Sequence, residues 1–114
     1  MYKIGFDAKR AFKNYSGLGN YSRLLISSLS QYYNYNLYTL FTPPYAQNTL
    51  VDFDVNKNIK IIKPTGINRR LTNLWRSYNI AADIEKEELD LYHGLSGELP
   101  IKNIKAAKVV TIHD

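Results

Sequence analysis

Five short apolar runs, separated by intervening segments, are the feature that most limits what this sequence can fold into. They fall at residues 2–7 (YKIGFD), 36–42 (NLYTLFT), 59–63 (IKIIK), 91–93 (LYH) and 108–113 (KVVTIH). Their length and β-branched or aromatic content predict strands. Pro43 and Pro44 stop the second run, because neither can donate to a ladder, and Pro64 and Gly66 close the third. Between the runs the period changes to that of a helix. From Gly19 onward Tyr21, Leu24, Leu25, Ser28, Leu29 and Tyr32 share one face, with Ser22, Arg23 and Ser30 on the other sides. Asn68 is a candidate cap for a second, longer helix carrying Leu71, Leu74, Trp75, Tyr78 and Ala82 at helical spacing and ending near Leu89. The segment AKRAFKNYSG after the first strand is too rich in charge and turn residues to count as core. Residues 45–57 read as a loop, and a Gly-, Pro- and Lys-bearing connection joins the last two strands.

Strands alternating with helices at these intervals predict an α/β fold: a Rossmann-like, mostly parallel sheet of order 3-2-1-4-5 with helices on both faces. In such sheets a ligand crevice opens beyond the carboxyl ends of the strands where the order reverses, here between the first and fourth. Three groups converge there. Gly17-Leu18-Gly19 lies in the loop after the first strand, His93-Gly94 ends the fourth, and His113-Asp114 ends the fifth.

Composition removes several function classes. The 114 residues suit one domain, and with no cysteine neither a disulfide framework nor a thiolate metal site is available. Two histidines alone make a poor transition-metal cage, so no metal and no cofactor are expected. Charge at Lys3, Asp7, Lys9 and Arg10 argues against a signal peptide of the usual plan, and no apolar stretch is long enough for a transmembrane helix. A net charge of +5 suits anionic partners in general. No module with basic and aromatic positions at fixed spacing appears, so nucleic acid is not expected as a partner.

Each candidate residue carries two readings. Gly17 and Gly19 open a helix, where free backbone amides and the helix dipole suit a phosphate; the alternative is a mobile turn that starts a helix. A dinucleotide fingerprint fits badly. Its third glycine would fall at Ser22, its first comes ten residues after Asp7, and Thr42 stands where a ribose-binding carboxylate is needed. His93 and His113 are either chemical groups or imidazoles satisfied at strand ends. Glu98 is a site carboxylate or a turn residue. Arg69, Arg70 and Arg76, on or beside the Trp75 helix, form either a membrane- or partner-binding surface or a solvated face balanced by Asp83, Glu85, Glu87 and Glu88. The ten tyrosines offer stacking surfaces for sugars, or edge the core.

The segments IGFDAKR, GLGNYSRLLISSL, DLYHGLSGELP and KVVTIHD occur in an order and spacing that resembles the amino-terminal domain of GT-B glycosyltransferases of family 4, bacterial enzymes of polysaccharide assembly. The resemblance spans nearly the whole chain apart from the stretch around residues 45–57. It implies that residues 1–114 are the acceptor-side domain of a retaining, metal-independent enzyme whose carboxyl-terminal donor domain lies outside them. On that basis the partners are a nucleotide-sugar donor and a glycan or lipid-linked acceptor, and the enzyme works in the cytoplasm, peripheral to the inner membrane. Gly17 and Gly19 then approach the donor diphosphate, and His113 lies near the reacting centre. His93, Gly94 and Ser96 take an acceptor-side or cleft-rim role. The isolated domain is expected to be inactive, and to self-associate through the surface that meets its missing half.

Overall fold

A computed structural model describes residues 1–13, 17–44 and 57–112. Strands β1 (Lys3–Asp7), β2 (Leu37–Phe41), β3 (Ile59–Ile62), β4 (Leu91–Gly94) and β5 (Ala107–Val110) form one sheet in the order β3-β2-β1-β4-β5. Every neighbouring pair is parallel. The expected Rossmann-like α/β architecture and its strand order are therefore what the chain adopts. Of the expected loop at residues 45–57 all but Lys57 lies outside the described residues, as do His113 and Asp114.

Side-chain alternation along the strands divides the interior into two cores. Phe6, Tyr38 and Leu40 point to one face, where Ala8, Ala11, Phe12, Ile26 and Leu95 complete a buried cluster. Phe41 and Tyr92 point to the other, against Trp75, Ile80, Ile84, Leu89 and Ala106. The first core contains a surprise at the polar segment. Lys9–Lys13 is a short helix, α1, and the charged residues disguise Ala8, Ala11 and Phe12, all at most 2% exposed.

Helix α2 (Gly17–Tyr32) is rotated from the expected face. Leu24 and Tyr32 are 69% and 73% exposed, whereas Ser22, Ile26 and Ser30 are buried, with Leu25 and Leu29 packed beside them. The serines are tolerated inside because they are small and their hydroxyls are satisfied. Ser22 Oγ donates to the Leu18 carbonyl at 3.0 Å, and Ser30 Oγ donates to Asn58 Oδ1 at 2.8 Å. A count that scores serine as polar turns such a helix the wrong way.

The second helical stretch also departs from expectation, for a geometric reason. Asn68 caps nothing; it sits in a 3₁₀ turn (Gly66–Arg69) and accepts a hydrogen bond from Asn79 Nδ2 at 2.8 Å. The helix proper begins as α3 (Thr72–Leu74), passes through a π-turn (Trp75–Asn79) and continues as α4 (Ile80–Glu87). A π-turn inserts a residue and shifts the phase of everything after it. The buried positions consequently run Trp75, Ile80, Ala81, Ile84, while Leu71, Leu74 and Tyr78, expected inside, are at least 40% exposed. Trp75 is fully buried and its indole N–H donates to Asp83 Oδ2 at 2.7 Å.

Of the two edge strands, β3 is partly buried and β5 lacks cover. All four residues of β5 are exposed, because the connection between β4 and β5 contains no helix.

Candidate functional site

The sheet order reverses between β1 and β4, and the last residues of these strands, Asp7 and Gly94, stand in register. Asp7 ends an apolar strand with a carboxylate only 6% exposed. A charge so placed needs a partner. Arg76, brought over the strand end by the π-turn, supplies it: Nη2 donates to Asp7 Oδ2 at 2.7 Å and lies 3.2 Å from Glu98 Oε2. The Arg76 side chain is 9% exposed and that of Glu98 62%, so one guanidinium bridges a buried carboxylate and a surface one. Ser96 Oγ approaches Asp7 Oδ2 at 3.4 Å, and the Lys9 amide approaches Asp7 Oδ1 at 3.5 Å. Arg76 Nε is buried and has no hydrogen-bond partner among the described residues.

Burial opposes the charge on Arg76, but the adjoining Asp7 carboxylate, with Glu98 beyond it, outweighs that penalty and holds the guanidinium above its ordinary pKa. Burial, reinforced by Asp7, likewise pushes the Tyr92 phenol well above its usual range, so a neutral phenol borders the pair. The arrangement keeps a fixed positive group, partly stripped of water, at the strand carboxyl ends. Such a group can orient or stabilise an oxyanion.

Gly94 explains how Glu98 gets there. A Cβ at position 94 would lie 1.9 Å from the Glu98 carbonyl oxygen, so only glycine lets the following turn fold back onto the strand end. Gly97 completes that turn at φ +80°, a conformation L side chains rarely adopt. The amide of Ile101 donates to the Ser77 carbonyl at 2.8 Å and ties the rest of the connection to the π-turn.

His93 belongs to the opposite face. It stands in register with Phe6, and the two rings lie 5.6 Å apart. Its Nε2 is 2.6 Å from Thr111 Oγ1. Burial lowers its pKa, favouring the neutral imidazole. Thr111 in turn donates its amide to the Gly94 carbonyl at 3.0 Å, so the histidine fastens the end of β5 to β4.

The expected residues thus divide. Gly94 and Ser96 join the Asp7–Arg76–Glu98 cluster, and His93 lies on the other side of the sheet. Gly17 is the exposed first residue of α2, with open space where a Cβ would point, and Gly19 is buried within its first turn. His113 and Asp114 are outside the described residues. The proposed membrane surface on the Trp75 helix needs correction: Trp75 and Arg76 are turned inward by the π-turn, and of the set only Arg69 and Arg70 remain exposed. Its acidic counterweights are also engaged, Glu85 by the Lys105 amide and Glu87 by Lys60. No helix among the described residues is long and apolar enough to cross a membrane. The sequence reading missed Asp7 and misassigned Arg76; the one available signal was a carboxylate terminating an apolar strand. Comparison with known proteins leaves the site to speak for itself: no family model matches the chain, and no curated protein or solved structure matches it.

Proposed function

We propose that this chain is the acceptor-side domain of a retaining GT-B glycosyltransferase, which moves a sugar from a nucleotide-sugar donor to a glycan or lipid-linked acceptor. The observation that carries the reading is the buried Asp7–Arg76 pair, with Glu98 and Ser96, at the point where the strand order reverses. Open α/β sheets place their ligands there. The open space at Gly17 and the run of α2 behind it support close approach of a diphosphate to the backbone at a helix start. In this reading Gly17 and Gly19 meet the donor diphosphate, His113 lies near the reacting sugar, and Gly94 and Ser96 build the acceptor rim. The departing phosphate takes the acceptor proton as the new glycosidic bond forms, so the protein's task is to hold both substrates and stabilise the leaving charge. No observation favours the membrane- or partner-binding alternative, whose central residues Trp75 and Arg76 are buried.

The test is transfer of labelled sugar from uridine- and guanosine-diphosphate donors by the whole polypeptide that carries this domain. Donor-dependent product is expected, with Gly19→Val weakening donor use and His113→Ala lowering kcat more than it raises KM, by about 2–4 kcal/mol of transition-state stabilisation. Folded protein that gives no product above blank with any donor contradicts the reading.

A further inference from the structure

The guanidinium of Arg76 is only partly used. Its Nη2 serves two carboxylates, while its Nε–H is buried and unpaired among the described residues. In a planar guanidinium the Nε–H and an Nη2–H lie on one edge and form a fork that matches two oxygens of a carboxylate or phosphate group. Asp7 is the permanent partner, short and buried at 2.7 Å. Glu98 is the weaker one, at 3.2 Å and 62% exposed. Its backbone is held against Gly94, but its side chain is free to swing outward into water. An unpaired buried donor is costly, and a ligand that engages both prongs removes that cost.

We propose that Arg76 receives a singly charged oxyanion of the acceptor, a carboxylate or a phosphodiester, in exchange for the Glu98 carboxylate. This deepens and rests on the glycosyltransferase reading, since it names the acceptor's chemistry at the same site. Charge balance selects the monoanion. The cluster holds one guanidinium and two carboxylates, and a singly charged ligand in place of Glu98 restores the same total. A dianion adds a further negative charge beside buried Asp7 and is repelled. Ser96, already near Asp7 at 3.4 Å, lies beside the position the ligand would take.

The test is a nitrogen-15 NMR titration of the Arg76 Nε–H signal with D-glucuronate and with dimethyl phosphate, against inorganic phosphate at pH 8 and sodium chloride at matched ionic strength. The two monoanions should shift the signal saturably, and Glu98→Gln, which removes the internal competitor, should tighten binding by roughly two- to fivefold. Arg76→Lys, followed at the Ser96 backbone amide because the Nε–H is gone, keeps the charge but loses the fork and should abolish saturation. The tighter of the two monoanions assigns the acceptor group to a uronic acid or to a phosphate diester. A shift reproduced by chloride, a preference for the phosphate dianion, or Glu98→Gln binding no tighter than the parent overturns the proposal. Sugar transfer without anion binding sinks this inference alone. Anion binding in a polypeptide that transfers no sugar retains the fork and sinks the glycosyltransferase reading.

Discussion

The two faces of the sheet meet the same strand ends with opposite chemistry. On the α1/α2 face His93 lies against Phe6 and is kept neutral by burial, its Nε2 beside a threonine hydroxyl. On the face covered by the π-turn and α4, Asp7 and Arg76 form an ion pair although each side chain is at most 9% exposed. A residue that serves only the fold need not carry a charge into a dry site, because apolar groups of similar volume often do as well or better. The histidine face therefore reads as fastening. The charged face reads as the working one.

The sharpest way to break this contrast is to remove one ion of the pair. Asp7→Ala leaves Arg76 buried without its main partner and should cost about 3–5 kcal/mol by urea denaturation. The double variant Asp7→Leu/Arg76→Met should recover much of that loss while losing any anion response. A double variant no more stable than Asp7→Ala would mean that the pair contributes to folding rather than function.

Next in size is the α2 side. Ile26→Ala should cost about 2–4 kcal/mol, whereas Leu24→Ala, on the exposed flank, should stay within about 0.5 kcal/mol. Equal losses would mean that the helix is turned as its leucine spacing implies. Gly94→Ala should follow at about 1–3 kcal/mol, because the Glu98 carbonyl must move away from the new Cβ. It should also weaken glucuronate binding; stability unchanged by thermal melting would remove the close approach.

The smallest effect concerns pH. The folded pKa of His93 lies below its ordinary 6.5, so between the two values the unfolded chain binds the extra proton. This contribution is absent above 6.5 and destabilises the fold as pH falls through that value, levelling off below the folded pKa. His93→Gln should remove a fraction of the acid-side drop in Tm. Parallel Tm–pH curves for the two proteins would contradict it.

Sheet order was legible because apolar runs and their spacing report strand burial directly. What failed did so through identifiable causes. Ser22 and Ser30 are polar in composition but satisfied within the helix and its neighbour, which hid the buried face of α2. Ala11 and Phe12 were masked by Lys9, Arg10 and Lys13 around them. The π-turn at Trp75–Asn79 broke the period that assigned Leu71, Leu74 and Tyr78 inward. The Asp7–Arg76 pair joins residues 69 positions apart, and no local pattern announces it. Gly94 ends β4 where the apolar run put it, because strand length and topology report that position directly.

The most direct test of the claim that the charged face does the work is kcat/KM for sugar transfer by the whole polypeptide, measured side by side for Arg76→Lys and His93→Gln with folding checked by circular dichroism. A loss of about tenfold or more is expected for Arg76→Lys, whose ammonium keeps the charge and forfeits the fork, against less than about threefold for His93→Gln. Near-parental transfer by Arg76→Lys, together with a larger loss in His93→Gln, would contradict the account and move the site to the histidine face.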